Sequence, residues 1–537
     1  MRYRRFALSA SVIATAVAAV VIQSTAGVAE LNPQPVDHTN NVLNAPLPDG
    51  SAQFGTGATV KPGTAFCTSA ASSAANVNTD CAQSTVGPHN ETSIAINPSD
   101  ASNIIGGAND YQLTLNADGK VGETIQSQAH VSLDGGRSWA NYPVFANNSY
   151  QATGDPALAF DGGGTAYYGT LGFRFVSAGN ATNPDVLVSH STDKGKTWSV
   201  VRVASGSGVA TSVGDLLDKE YVAAWGSGNA IVTFGDFRLG QKGNTISATT
   251  WASVTHDGGN SWSKAQRISG SLDQAFVATP VVAADGKIYA SFLNTTDLQT
   301  GRDDYEVVRL DPATGAALTS PVKVATTIDG INDSPFAFGR ETYQDSLFRS
   351  WAAGNIAADP TNAQHLAVVW SDWTHTTPPA SGSTNPYLWK TDADVRFSES
   401  TDGGVTWSAP TDIARPGDQF QPWSVFDSSG SLRIGFFDRS YDAKNHQYGY
   451  TVATKTGSTI TFQQVTTELS DPTQGDRWFR RTVNASFPAA TAFLGDYSNI
   501  AATQDGHVVA YWTDMRNDVT FAGLKLKGED AYFGRAS

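Results

Sequence analysis

The chain has 537 residues, a formal charge of −15 at pH 7, 51 glycines and two cysteines. An acidic balance of this size makes nucleic acid and anionic lipid poor partners. Abundant glycine, threonine and valine without helical periodicity point to an all-β protein.

In chain order, the first 29 residues read as a secretory leader. Arg2, Arg4 and Arg5 form a basic start, Phe6 to Ile22 an apolar stretch, and Gly27, Val28 and Ala29 a small-residue cleavage site before Glu30. Removal of this segment leaves an exported, extracellular chain with no membrane association. Residues 30–89 form a polar arm rich in Ala, Ser, Thr, Asn and Gly. It holds Cys67 and Cys81, which are expected to pair in an oxidising compartment. Such a bridge stabilises by about 3 kcal/mol on the chain-entropy view.

Residues 90–537 carry two superposed repeats. One is a strand pair: a short apolar strand around an alanine, a turn, and a second strand often ending in an aromatic and an aspartate. It begins near Glu91, Asp155, Glu220, Pro280, Gly354, Trp423 and Tyr497. Seven copies imply a propeller of seven four-stranded blades, with six as the alternative if one copy belongs to another sheet. The last unit lacks an outer strand, which residues ahead of Glu91 can supply, closing the ring and hiding its edges.

The other repeat is the phrase S/T-x-D-x-G-x-x-W. It occurs at Ser132 to Trp139, Ser191 to Trp198, Thr255 to Trp262 and Ser400 to Trp407. Hydroxyl and carboxylate suit the turn N–H groups, and glycine takes a backbone conformation costly to other residues. These phrases resemble the Asp box, or bacterial neuraminidase repeat, of sialidases and several other β-propeller proteins. The resemblance implies that they close the turn between a blade's third and fourth strands, opposite the active face. It therefore makes Asp134, Asp193, Asp257 and Asp402 structural.

On the active face the resemblance expects residues just before each first strand and just after each second strand to converge. Asp110, Asp236, Asp372, Asp438 and Asp514 recur at the ends of second strands, as turn caps would. Residues without counterparts in other units are the functional candidates. Glu91, Asp155, Glu220, Tyr343 and Tyr497 are the candidate catalytic groups. Arg340, Arg349, Arg439, Arg477 and Arg516, with Trp351 and Trp389, are the candidate sugar-binding groups, by bidentate hydrogen bonding and ring stacking. Sialidase-type chemistry needs three arginines, a tyrosine nucleophile with a glutamate, and an aspartic acid/base. The Arg-Ile-Pro phrase of that family is absent, because the first strand opens with His89, Asn90 and Glu91. Other Asp-box propellers use two carboxylates, and some are not enzymes.

The expectation is a secreted, sialidase-like glycoside hydrolase acting on an extracellular glycan. A non-catalytic propeller that binds glycan or protein is the alternative. No cofactor and no metal site is expected, and the oligomeric state is left open.

Overall fold

A computed structural model describes residues 63–80, 87–115, 121–145, 150, 152–177, 180–209, 213–240, 245–297, 301–330, 332–337, 340–473, 480–481, 490–491, 493–521 and 524–537. The leader, the first half of the arm, Cys81 and Arg477 lie outside the described residues. Cys67 is disulfide-bonded.

Seven antiparallel sheets form the blades of a propeller. Blade one runs from the inner strand His89–Ile96 through Ile104–Leu115 and Gln128–Ser132 to Ala140–Pro143, with Cys67–Thr68 added outside. The inner strands of the next five blades are Ala152–Phe160, Gly214–Trp225, Ala275–Val282, Ile356–Ala358 and Gln419–Phe426. Blade seven consists of Asn499–Ala502, Val508–Asp514 and Asp530–Ala536, and the arm strand Asn76–Asn78 completes it. The N-terminal arm and the C-terminal strand thus meet in one blade, and the arm strand covers the outer edge of Asp530–Ala536.

Each seam between neighbouring blades has its own apolar core. Between blades one and two, Ile105 and Val131 meet Tyr168 and Leu187. Between blades seven and one, Tyr511 and Phe533 meet Ile104 and Trp139, and Val77 of the arm joins them.

The four S/T-x-D-x-G-x-x-W phrases fold into closely similar turns between third and fourth strands. In blade one, Asp134 accepts hydrogen bonds from the Arg137 and Ser138 N–H groups at 3.0 and 2.9 Å. The Ser132 hydroxyl accepts from Gly136 N–H at 2.7 Å, and the Trp139 indole donates to the Gly136 carbonyl at 3.1 Å. Asp193, Asp257 and Asp402 hold their turns in the same way. Blades four and six make this connection with other hairpins, near Asp311 and Gly457.

The turn glycine also mortars the blades together. A Cβ on Gly136 would lie 2.3 Å from the Phe533 ring of blade seven, and one on Gly195 2.6 Å from Ile105 of blade one. Both glycines have positive φ, at 92° and 88°. Gly136→Ala should therefore cost about 2–4 kcal/mol, combining left-handed strain and overpacking. Gly286→Ala, with φ 80° and nothing within 4 Å of its Cβ, isolates the strain alone and should cost about 1–2 kcal/mol. Urea unfolding of the two variants checks this, and equal costs would remove the interblade role.

Inner strands share a second device. The pairing of the first two strands slips at Asn90/Ser93, Gly154/Ala157, Asp218/Tyr221, Phe276/Thr279 and Phe420/Trp423. Each slip contains a non-glycine residue at positive φ: Glu91 (56°), Asp155 (59°), Lys219 (54°), Val277 (56°) and Gln421 (48°). Bulges of this kind re-aim side chains and cluster at functional sites.

Candidate active site in the propeller channel

Glu91, Asp155 and Lys219 occupy the same bulge position in three successive blades, and their side chains meet. Lys219 Nζ lies 3.2 Å from Glu91, 2.7 Å from Asp155 and 2.7 Å from Asp496, which enters from blade seven. Arg349, ahead of blade five, makes a two-pronged pair with Asp496. Asn109 holds Glu91 from the side, donating to its carboxylate at 2.8 Å. All these side chains are buried.

Burial sets the electrostatics. The Glu91 carboxyl is pushed well above the usual carboxylate range by desolvation and by Asp155, against the pull of Lys219. Asp496 is also desolvated, but Arg349 and Lys219 outweigh that and hold it far below the usual range. Asp218 is raised to about 7, mainly by burial. Desolvation works against the Lys219 charge, yet Asp155, Asp496 and Glu91 keep the ammonium well above its ordinary value. One carboxyl is thus pushed towards its protonated form and another on the same cation towards its ionised form, the division of roles that acid/base catalysis requires.

Below this charged layer lies an aromatic one. Tyr221, Tyr497 and Trp423 pack together, with ring centroids 5.6 and 5.7 Å apart around Tyr221. Lys219 stands 5.5 Å from the Tyr497 ring centre and 5.8 Å from that of Trp351. The cavity among Lys219, Trp351, Trp423, Asp496 and Tyr497 has a volume of about 10 Å³. That is room for about one water. A second cavity of about 30 Å³, deeper in the channel, is lined by Ala157, Tyr221, Thr279, Asn355 and Asn499.

Of the residues singled out from sequence, Glu91, Asp155, Tyr497, Arg349 and Trp351 come together here. Tyr497 donates to the Pro156 carbonyl at 3.2 Å, and its phenol is pushed well above 10 by burial and by Glu91. Glu220 neighbours the group but lies off the Lys219 ammonium. Both its oxygens are buried without a hydrogen bond, and burial keeps its carboxyl raised.

The other candidates lie elsewhere. Tyr343 packs in an aromatic cluster with Phe348, Trp373 and Phe420. Arg439 is buried beside that cluster and paired with Asp418 at 3.0 Å. Arg516 pairs with Asp514 at 2.6 Å and covers Tyr532. Arg340 belongs to a short hairpin with Phe336–Ala337, and Trp389 is buried with its indole on the Ser383 carbonyl. Sequence reading placed Asp496 ahead of a first strand without selecting it, and passed over Lys219. The signal for Lys219 was present, because it follows Asp155 by 64 residues and Glu91 by 128.

No family model and no curated protein sequence matches the chain. Solved structures do resemble it. One is a protein of unknown function from Dyadobacter fermentans, 10% identical over 84% of this chain and 96% of that one, TM-score 0.40. A Hadza microbial sialidase is 12% identical over 78% and 75%, TM-score 0.42. An α-L-arabinofuranosidase of Fusarium graminearum, solved with arabinobiose, is 14% identical over 86% and 98%, TM-score 0.40. At these identities the likeness assigns no residue a role.

Proposed function

We propose that the chain is an exported carbohydrate-active hydrolase that cleaves a glycan by carboxylate acid/base chemistry at the channel mouth. The observation that carries this reading is the convergence of Glu91, Asp155 and Asp496 on one ammonium, with Glu91 held protonated and Asp496 ionised. Glu91 is the proton donor to the leaving oxygen. Asp496 is the ionised partner, and Asp155 and Lys219 fix the charge balance between them. Glu91 and Asp496 contact Lys219 at 3.2 and 2.7 Å, so their nearest oxygens are closer than the roughly 6.5–9.5 Å an inverting mechanism needs for its water. That spacing favours a retaining reaction.

Both cations of the cluster are paired with carboxylates, and among the described residues only Arg349 Nη1 is left there without a hydrogen bond for a substrate carboxylate. Arg439 and Arg516 are committed to other partners. The reading therefore favours a neutral sugar over sialic acid. It also requires the partly buried Trp351 and Trp423 to move aside, since the cavity of about 10 Å³ is too small for a sugar ring.

That small cavity favours a second reading, in which the cluster is an ionic plug of a non-catalytic, glycan- or protein-binding propeller. Product analysis decides between the two. Folded mature protein is incubated with a fluorogenic sialoside and a panel of plant, microbial and animal glycans. Release of a neutral sugar supports the proposal, and silence across the panel supports the plug. Released sialic acid would overturn the preference for a neutral sugar.

A further inference from the structure

The closure seam between the arm, blade one and blade seven holds a second buried cluster that the channel chemistry does not use. Asp80 follows the arm strand, His89 opens the first strand of blade one, and Asp530 opens the third strand of blade seven. One ligand atom from each lies within 4.8 Å of the other two, and all three residues are buried. Behind them, Asp110 takes His89 Nε2 at 3.0 Å.

The orientation of His89 is informative. With Nε2 bonded to Asp110, its other nitrogen, Nδ1, faces the carboxylates of Asp80 and Asp530. Nδ1 is buried and makes no hydrogen bond, although Asp80 Oδ2 is 3.3 Å away. Two buried carboxylates gathered beside that nitrogen call for a positive charge among them, and the three ligand atoms stand close enough for one bound cation to supply it. The arrangement of carboxylate, histidine and open nitrogen is the one that orients metal-binding histidines. The 3.3 Å separation also matches the edge of a tetrahedron whose ligands sit about 2.0–2.1 Å from a zinc ion.

We propose that Asp80, His89 and Asp530 form a binding site for a zinc-class divalent cation that fastens the ring at its closing seam. A neutral imidazole and two carboxylates carry two negative charges, which such an ion cancels. The nitrogen ligand favours a first-row transition ion over calcium. Asp110 acts as a positioning residue, holding the His89 tautomer.

The test uses the full mature chain, stripped with a chelator and then titrated with zinc sulfate. Metal content after desalting is measured together with Tm, and cobalt(II) substitution gives a visible spectrum that reports coordination. The expected result is one zinc per chain, a Tm raised by several degrees, and a cobalt spectrum indicating a nitrogen ligand. Asp530→Asn should abolish stoichiometric binding, and Asp110→Asn should weaken it by about 10–100-fold. A wild-type chain that retains no zinc and shows no Tm shift would overturn the proposal. Uptake unchanged in Asp530→Asn would overturn it too, by placing the metal elsewhere. If that variant fails to fold, the wild-type stoichiometry and cobalt spectrum decide.

Discussion

Lys219→Met is expected to destabilise the protein by about 3–5 kcal/mol, the range for breaking a buried ion pair by removing one partner. The cause is the loss of the only ammonium within reach of Glu91 and Asp155 among the described residues; Arg349 still serves Asp496. The deficit should depend on pH. Glu91 already titrates above its ordinary range in the folded protein, and Lys219 is one of the influences that lower it. Without the lysine the folded-state value rises further. A carboxyl raised on folding favours the native state most below its unfolded pKa, and that advantage is lost as pH rises through the folded value. Both chains keep Glu91 protonated below the wild-type folded value, so this part of the deficit should be absent in acid and open only as pH rises through that value, above the ordinary carboxylate range. Urea unfolding across that range checks this, and a deficit constant with pH would refute the coupled cluster.

Glu91→Gln separates chemistry from folding. Burial and Asp155 push the carboxyl towards its neutral form, so a neutral amide of the same shape should change stability by less than about 1 kcal/mol. It cannot donate a proton to a leaving oxygen. On any glycan the wild type cleaves, kcat should fall by about 10²–10⁴-fold, the usual contribution of a positioned general acid. Asn109 should still hold the amide, since its N–H can donate to the amide oxygen as it does to the carboxylate. Matched Tm values with a kcat lowered by less than threefold would remove Glu91 from the reaction.

Much of the fold was legible because it repeats. Most first strands show an alanine-centred apolar run, and five of the second strands carry the recurrent aspartate. These placed all seven blades, and the four glycine turns showed where third strands meet fourth. Of the aspartates ending second strands, Asp438 and Asp514 cap turns as expected, accepting from the Ser440 and Arg516 N–H groups at 2.9 Å, whereas Asp110 holds His89. Asp372 and Asp514 each accept from a tryptophan two residues earlier in their own strand, at 3.0 and 2.9 Å.

The site was legible only in part. Glu91 and Asp155 stood out as acids before first strands, but the bulge that turns them into the channel is a backbone event with no residue signature. Without that phase, Glu220 looked like the third member, when the bulge position belongs to Lys219 and Glu220 falls one residue out of step. Tyr343 and Arg439 drew notice as an aromatic and a cation in or beside long loops. In the fold they satisfy each other's surroundings, with Arg439 5.8 Å from the Tyr343 ring centre. Asp80, His89 and Asp530 are drawn from the two ends of the chain, and no local pattern links them.

The account rests on Glu91 being a protonated carboxyl beside an ionised Asp496. Difference infrared spectroscopy of wild type against Glu91→Gln and Asp496→Asn reads this directly. The predicted result is a protonated C=O band, lost only in Glu91→Gln, that persists at a pH where ordinary glutamates are ionised. An ionised carboxylate band from Glu91 under the same conditions would contradict the account and leave the channel cluster as an ion network without a proton to give.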